Sequence, residues 1–292
     1  MNQTFKQVNM WIKRLNQSLL SLIKVFLYSK IPEVFNRAVV NEAVILGNGP
    51  SLSGMISENA EFLKGKELFA VNYFALSDDY HTLRPRNYVM IDFTFYYNTI
   101  GDEESILKRD KLWQRIASFT TWEMNLYLPF NAKKHSYWKK FVCENKNIRV
   151  KYINVTAVEG LRGLRNYFFS KMLGMPRPHN VIIPSLMIAV KMGFKTIYLW
   201  GVDHSWLANV SVDENNVVFV NNKHFYDFNT SKPGLYILKN TPAARMHEML
   251  YSWMCTFESY FIINDYASKY NVSIINQTPN SLIDAFVKKR IE

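Results

Sequence analysis

Two short turns in this sequence carry residues that could bind or position an anionic ligand. One is Gly47-Asn48-Gly49-Pro50-Ser51, directly after the apolar residues 43–46, and the other is Gly201-Val202-Asp203-His204-Ser205-Trp206, directly after residues 195–200. Glycines let backbone N–H groups approach a ligand closely, and the N-terminus of a following helix favours a phosphate. An acid beside an imidazole can bind a ribose hydroxyl, orient a phosphate or move a proton. Both turns are therefore candidates for a ligand site.

The first turn matches neither of two common phosphate-binding fingerprints. It is not G-x-G-x-x-G, and it is not G-x-x-x-x-G-K-[ST]. A dinucleotide-binding fingerprint and a P-loop NTPase are thus unsupported. Ser51 offers a hydroxyl that could cap the helix that follows the turn.

Polar residues also end two further apolar runs. Residues 68–71 lead into Asn72, and residues 88–91 lead into Asp92. In open α/β sheets, ligands lie outside the carboxyl ends of the strands, so we expect Asn48, Asn72 and Asp92 along one rim. A turn or helix-cap role is the alternative for each residue, because Asn and Asp favour both.

The elements that would position these residues alternate between strands and helices. Short apolar runs are typical of strands in a sheet that is covered on both faces. A buried helix is predicted over 182–192, where Ser185 could cap the helix or donate to a ligand, and a long helix over about 242–270. Residues 105–150 are charged and aromatic, which indicates helices and surface loops, with a lid as one interpretation. The predicted strands are residues 43–46, 68–71, 88–91, 150–155, 195–200 and 272–276.

This alternation predicts the fold class. It indicates one α/β domain over residues 41–292, with a doubly wound, mostly parallel, Rossmann-like sheet. The first forty residues form a separate basic segment, with six cations against the single acid Glu33.

The basic segment, residues 1–40, is predicted to be an amphipathic helix. Its apolar residues recur every three to four positions. Such a helix could lie in an anionic membrane interface, and the alternative is packing on the domain or on a second subunit of a homo-oligomer. Lys13 and Arg14 interrupt the apolar stretch, which disfavours a signal peptide, and Ile31-Pro32 is expected to end the helix. The predicted apolar stripe is Val8, Trp11, Ile12, Leu15, Leu19, Leu22, Ile23 and Phe26.

Composition limits the class of protein further. The chain has 292 residues, of which 48% are hydrophobic, and a formal net charge of +11. It can therefore bury a sizeable core and favours an anionic partner. Cys143 and Cys255 lie far apart without a CxxC, so we predict neither a disulfide scaffold nor a metal site. The sequence has no apolar run long enough to cross a bilayer and no nucleic-acid-binding motif, so nucleic acid is not a predicted partner.

Four separated blocks, in their order along the chain, resemble one family. They are VILGNGPSL (44–52), FAVN (69–72), the unit S-x-x-x-A-x-x-x-G-[FY]-K-x-I-Y-L-x-G-[VI]-D (185–203) and PNSL (279–282). Over about residues 43–286 the chain is similar to bacterial sialyltransferases of lipooligosaccharide synthesis (glycosyltransferase family 42). More weakly, it is similar to hydroxymethylpterin pyrophosphokinase-like proteins.

The resemblance implies an activity and a location. It implies a metal-independent, inverting glycosyltransferase without a cofactor, which moves a CMP-activated acidic sugar such as sialic acid onto a surface glycan or glycolipid. It also implies a place in the bacterial cytoplasm, peripheral to the inner membrane. A basic protein surface would suit both an acidic donor and a glycolipid acceptor at a membrane.

The resemblance also implies roles for single residues. The family uses a histidine base, and His224 is preferred here because Asp227 could orient its ring, with His247 as the alternative. Without a cation, protein groups must stabilise the leaving phosphate, which suits His204, Ser205 and Tyr226. The implied catalytic residues are His224, His204, Tyr226, Asp227 and His247. The implied donor-binding residues are Gly47, Asn48, Gly49, Pro50, Ser51, Asn72, Asp92, Ser185, Gly201, Asp203 and Ser205.

Two features depart from the family pattern. Asp92 stands where Asn is typical, and His204-Ser205-Trp206 replaces the family's phosphate-facing tyrosines. Another CMP-linked acidic sugar or another nucleotide sugar would therefore fit equally well. A pterin-type pyrophosphokinase that uses ATP and Mg²⁺, and a nucleotide-binding protein without catalysis, are the alternative functions.

Overall fold

A computed structural model describes residues 3–97, 101–220, 234–235 and 244–291. In this part of the chain, eight strands form a central sheet in which all neighbouring strands are parallel. A second, antiparallel sheet has three short strands. The central strands are β1 (Glu42–Leu46), β2 (Glu67–Val71), β3 (Asn87–Val89), β4 (Met124–Pro129), β5 (Ile148–Ile153), β6 (Thr196–Trp200), β10 (Ser273–Asn276) and β11 (Val287–Lys288). The second sheet consists of β7 (Val210–Val212), β8 (Val218–Val220) and β9 (Gly234–Leu235).

The strand order of the central sheet creates a switch point beside β1. The order is β11-β10-β6-β1-β2-β3-β4-β5, so the chain adds β2 to β5 on one side of β1 and then β6 on the other. The ends of β1 and β6 are in register, with Leu46 opposite Trp200. Open α/β sheets bind ligands at such a point, outside the carboxyl ends of the strands.

Helices cover both faces of the sheet, which confirms the predicted doubly wound α/β class. Alternating residues of β1 belong to two cores: Ala43 and Ile45 face the core that contains the helices of residues 162–192 and 246–268, whereas Val44 and Leu46 face the core that contains the helices of residues 52–142. This two-sided burial explains why the strands read as continuous apolar runs. The helices are α1 (Gln3–Tyr28), α2 (Leu52–Asn59), α3 (Asp79–Leu83), α4 (Glu103–Phe119), α5 (Lys139–Val142), α6 (Arg162–Ser170), α7 (Ile182–Met192) and α8 (Met246–Ser268).

The stretch 105–150 differs from the helices and surface loops that its sequence predicted. It contains strand β4, which lies between β3 and β5 inside the sheet. Leu126 and Leu128 of this strand are fully buried, as are Leu112 and Trp113 of α4. This stretch is therefore a layer of the core rather than a cover over it.

Helix α1 docks on the domain through small polar residues and through Val25, which is buried in the core. The Ser18 hydroxyl accepts a hydrogen bond from the Leu161 amide at 2.8 Å, and the Ser21 hydroxyl accepts one from the Glu159 amide at 2.9 Å. A Cβ on Gly160 would lie 2.3 Å from the Ser18 oxygen, so only glycine allows this approach. The face of α1 against the domain is thus held by small serines, backbone groups and the side chain of Val25.

The predicted apolar stripe of α1 consequently points away from the domain. Trp11 is 57% exposed and Phe26 is 88% exposed, and the other stripe residues are exposed as well. Helix α1 thus packs on the domain, as the alternative interpretation expected, but through the face opposite the stripe. Whether a membrane or a second subunit covers the stripe stays a prediction. Within the described residues, no helix is long and apolar enough to cross a membrane. The division into a segment 1–40 and a domain 41–292 also stays a prediction.

Candidate functional site

A cavity of about 1220 Å³ opens at the carboxyl ends of β1, β2, β3 and β6. It lies at the switch point of the sheet, where the topology predicts a ligand. The structure brings most of the sequence-predicted donor residues into its wall. The predicted residues that line the cavity are Gly47, Asn48, Gly49, Pro50, Asn72, Asp92, Gly201, Asp203, His204 and Ser205.

The two glycine turns are joined to each other by backbone hydrogen bonds. The Gly47 amide donates to the Trp200 carbonyl and the Gly49 amide donates to the Gly201 carbonyl, both at 2.8 Å. A Cβ on Gly49 would lie 1.9 Å from Asp203 Oδ2, and one on Gly47 would lie 2.4 Å from the Gly201 oxygen. The glycines are therefore required for close packing of the two turns. The sequence predicts that these glycines present N–H groups to a ligand, but their two amides are already bonded to backbone carbonyls.

Asp203 takes the place that the sequence analysis gave to a phosphate. The Ser51 hydroxyl donates to Asp203 Oδ2 at 2.9 Å, and the Ser51 amide also donates to this carboxylate. Ser51 precedes α2 but makes no side-chain cap on that helix. Burial raises the pKa of Asp203, although both hydrogen bonds from Ser51 oppose this. The helix N-terminus is thus occupied by the protein's own acid.

Thr278 and the PNSL block that follows it hold the second turn from behind. The Val202 amide donates to Thr278 Oγ1 at 3.0 Å, and the Ser281 hydroxyl donates to the Val202 carbonyl at 2.7 Å. The Leu282 amide donates to the Asp203 carbonyl at 3.1 Å. This block therefore positions the cavity wall without lining the cavity itself.

His204 is buried and its ring is fixed by two partners. Its Nε2 lies 2.6 Å from the Tyr260 hydroxyl and 3.0 Å from Asn180 Nδ2. The Asn180 Oδ1 accepts from the amides of Ile182 at 2.9 Å and Ile183 at 3.3 Å, so its Nδ2 must donate. Nε2 of His204 is therefore an acceptor, and the proton of the neutral ring sits on Nδ1.

The backbone and the charge state of His204 are both unusual. It adopts a left-handed conformation, with φ of +53°, and its ring stacks on Trp206 with centroids 4.1 Å apart. Burial lowers the pKa of His204 to about 3, so the ring is neutral at physiological pH. A neutral imidazole can donate a hydrogen bond here, but it is a poor proton acceptor.

Another part of the wall comes from the segment before α7, which the sequence analysis missed. Arg177 donates to Glu159 at 2.9 Å and to the Tyr251 hydroxyl at 2.6 Å. Burial alone would lower the pKa of Arg177, but Glu159 and Tyr251 raise it above its ordinary value. His179 Nδ1 lies 2.9 Å from the Ser252 hydroxyl, and burial and then the Arg177 charge lower its pKa.

The ends of β2 and β3 supply the opposite wall. Asn72 has a left-handed backbone with φ of +48°, and among the described residues its buried Oδ1 has no hydrogen-bond partner. Asp92 is exposed to the cavity and accepts from the Thr94 amide at 2.8 Å. An unsatisfied buried amide oxygen beside a cavity is suited to a ligand's donor group. Aromatic residues complete this wall: Tyr73, Phe93, Phe95, Tyr96 and Tyr97.

Several predicted site residues lie elsewhere. Ser185 is fully buried in α7, where its hydroxyl donates to the Val181 carbonyl at 2.8 Å, so it does not reach the cavity. His247 lies in the first turn of α8 and is not part of the cavity lining. His224, Tyr226 and Asp227 lie outside the described residues, and their roles stay predictions.

The fold and the site together define a class: a doubly wound, Rossmann-like α/β domain with a cavity at its switch point. The described residues contain no group of three or more His, Cys, Asp or Glu side chains that could hold a metal ion.

Comparison with known proteins finds similarity at the level of solved structures. No protein-family model matches the chain, and no curated protein matches it. The chain is similar to the structure of the MAf glycosyltransferase from Magnetospirillum magneticum AMB-1, with 10% identity and a TM-score of 0.47. This match covers 94% of this chain and 38% of that chain, so the chain spans less than half of that protein's length. The sequence resemblance to glycosyltransferase family 42 stays a prediction.

Substitution of Gly49 tests the packing of the two turns. Gly49→Ala should lower the free energy of unfolding by about 1–3 kcal/mol, because the added Cβ overlaps Asp203 and the Gly201 carbonyl. Gly54→Ala in α2 is the matched control, since a Cβ there meets nothing within 4 Å and should stabilise the helix by up to about 1 kcal/mol. Urea unfolding of both variants measures the difference. Equal stability of the two variants would contradict the role given to Gly49.

Acid sensitivity tests the state of His204. The pKa of this ring is lowered from 6.5 to about 3 in the folded protein. Below pH 6.5 the unfolded chain binds a proton at this ring, whereas the folded chain does not do so until about pH 3. The free energy of unfolding should therefore fall as the pH drops from 6.5 towards 3, by about 2 kcal/mol between pH 6.5 and 5. His204→Asn, which tolerates the left-handed backbone, should remove this part of the acid sensitivity. Thermal unfolding at both pH values measures this change, and His81→Asn, at an exposed histidine, is the control. If the pH dependence of His204→Asn equals that of the unmodified chain, the prediction is wrong.

Proposed function

We propose that this chain is a metal-independent, inverting glycosyltransferase that uses a nucleotide-sugar donor, with a CMP-linked acidic sugar as the first candidate. The observation that supports it best is the cavity of about 1220 Å³ at the switch point. This volume exceeds that of most small-molecule sites and suits a nucleotide joined to a sugar. The resemblance to glycosyltransferase family 42 rests on the same two turns that form one wall of this cavity.

The donor would be recognised by fixed neutral groups. Asn72 Oδ1 would accept from a base amino group or a ribose hydroxyl, since it has no other partner among the described residues. Asn48 is held in the same wall by its Nδ2, which donates to the Val71 carbonyl at 3.0 Å. Preorganised acceptors of this kind bind a ligand without the cost of reordering side chains.

His204 would act on the leaving group as a hydrogen-bond donor rather than as a base. Its proton is placed on Nδ1 by Asn180, and the ring stays neutral at physiological pH. A fixed N–H donor in a water-poor site can stabilise the charge that develops on a leaving phosphate oxygen. The base that takes the acceptor's proton would then be His224, as the sequence resemblance implies, because burial also lowers the pKa of His179.

The acceptor would be a glycan or glycolipid at an anionic membrane surface that α1 binds. The outward stripe of this helix is apolar, and cations flank it, including Lys13 and Arg14. Helices with this pattern lie in the membrane interface with their apolar face among the acyl chains. We therefore propose a location on the cytoplasmic side of a bacterial inner membrane.

Ligand-induced stabilisation tests the proposed donor. CMP at about 100 times its dissociation constant should raise the free energy of unfolding by about 2.7 kcal/mol, and this shift should survive EDTA. Asn72→Gly keeps the left-handed backbone but removes the amide, so it should weaken CMP binding at least about tenfold. Asn216→Gly is the matched control, since Asn216 also has a positive φ and does not line the cavity.

Three results of this experiment would contradict the proposed donor. A shift with ATP only in the presence of Mg²⁺ would favour the pyrophosphokinase-like alternative. A CMP shift without sugar transfer from any CMP-sugar would favour a nucleotide-binding protein, and no shift with CMP, UDP or GDP would reject the nucleotide-sugar site.

Vesicle binding tests the role of α1. The full chain should co-sediment with vesicles that contain phosphatidylserine, and less so as salt rises, because screening weakens the contribution of the lysines. A double substitution, Trp11→Asp with Phe26→Asp, should reduce binding at least about tenfold by placing charges in the apolar stripe. Leu107→Asp on α4, where the side chain is 62% exposed, is the control. The unmodified chain could instead form a dimer and bind no vesicles. If the double substitution then abolishes that dimer in sedimentation analysis, the stripe is covered by a second subunit.

A further inference from the structure

Helix α4 carries a buried arginine with incomplete hydrogen bonding. Arg109 is only 2% exposed, and its Nε and Nη2 have no hydrogen-bond partner among the described residues. A guanidinium group has five N–H donors and always carries its charge in proteins. A buried cation without a carboxylate partner destabilises the fold. Such a group persists where an interaction outside the fold compensates it.

The residues around Arg109 on helix α4 contact the aromatic wall of the cavity. Trp113 follows Arg109 by one helical turn, and its Nε1 donates to the carbonyl of the wall residue Phe95 at 2.9 Å. Lys108, the residue before it, lies with its Nζ 5.1 Å from the ring centroid of the wall residue Tyr73. The charges of Arg109 and of the wall residue Asp92 both act on the Tyr73 hydroxyl. Arg109 does not itself line the cavity, but its charge acts on Tyr73, which does.

The described lining of the cavity lacks a cation that could neutralise an anionic ligand. Its two carboxylates, Asp92 and Asp203, are negative groups, and its arginine, Arg177, is already paired with Glu159 at 2.9 Å. A positive charge nearby would add to what neutral donors contribute to the binding of a phosphate or carboxylate in this cavity. Arg109 is buried, and no carboxylate of the described residues forms an ion pair with it.

We propose that Arg109 is the anion-binding residue of this cavity and that it takes an oxyanion of the ligand, a phosphate or a carboxylate, which enters past Tyr73. The free Nε and Nη2 form one edge of the guanidinium fork, which matches two oxygens of either group. The inference rests on the proposed function only in that the cavity holds the substrate. It does not depend on which nucleotide or sugar is bound.

A purely structural role is the competing explanation. The Tyr137 hydroxyl donates to Asp110 at 2.6 Å, and Arg109 also interacts with this hydroxyl. If this contact is the reason for Arg109, its removal must weaken the fold in the absence of any ligand. If Arg109 serves a ligand, the reverse holds, because an uncompensated buried charge disappears.

Thermal unfolding of the full chain in a chloride buffer separates the two explanations. Arg109→Met should melt at the same temperature as the unmodified chain or higher. Sodium phosphate or sodium N-acetylneuraminate should raise the melting temperature of the unmodified chain by several degrees and leave Arg109→Met unchanged. Lys111→Met, which removes an exposed cation from the same helix, should keep the full shift. Arg109→Lys retains the charge but loses the fork, so it should need at least about five times more anion for the same shift.

Each outcome of this experiment decides the matter. A response to phosphate alone assigns the site to a phosphate, a response to N-acetylneuraminate alone assigns it to a carboxylate, and a response to both supports the shared chemistry. Destabilisation or misfolding of Arg109→Met without anion, or an anion shift that survives in it, overturns the proposal. If CMP gives no shift while phosphate still acts through Arg109, the proposed donor fails and the anion site stands.

Discussion

The close approach of the turns after β1 and β6 is the constraint on which the site depends. Two amide–carbonyl hydrogen bonds of 2.8 Å join these turns, and glycine at 47 and 49 is the residue that leaves room for them. Once the turns are joined, Ser51 meets Asp203 and the carboxylate closes the start of α2. The same junction sets where His204 enters the cavity wall. The parallel sheet determines where the site lies, and this junction determines its shape.

Much of the fold could be predicted because buried parallel strands have a recognisable pattern, a continuous apolar run. The runs at 43–46, 68–71 and 196–200 are apolar on both faces, and each is followed by a polar or glycine residue at the rim. Strand β4 escaped prediction because Asn125 and Pro129 interrupt its apolar pattern, and proline is rare inside a sheet. The orientation of α1 escaped as well, since the pattern of a helix shows that it has an apolar face but does not show what covers that face.

The site was predicted in its residues but not in its hydrogen bonds. Asn72, Asp92, Asp203 and His204 all line one cavity. Which groups remain available for a ligand is decided by long-range pairing, such as the Gly49 amide with the Gly201 carbonyl. Arg177 and Asn180 were missed because a loop before a buried helix carries no periodicity that would mark its function. A polar, proline-containing loop ahead of that helix was the one signal in the sequence.

Charge is distributed differently over the N-terminal segment, residues 1–40, and over the cavity lining. The first forty residues contribute six cations against one acid, whereas the described cavity lining carries two carboxylates and an arginine that is already paired. The high net charge of +11 therefore describes the outer surface and says little about the cavity. A surface charge attracts an anionic partner over about a Debye length, roughly 8 Å at physiological salt, and screening limits it beyond that distance. Binding inside the cavity must instead come from fixed donors and from a cation held out of water, because a buried charge acts in a weaker dielectric. Attraction to an anionic surface and recognition of an anionic substrate are thus separate properties of this chain, carried by different residues.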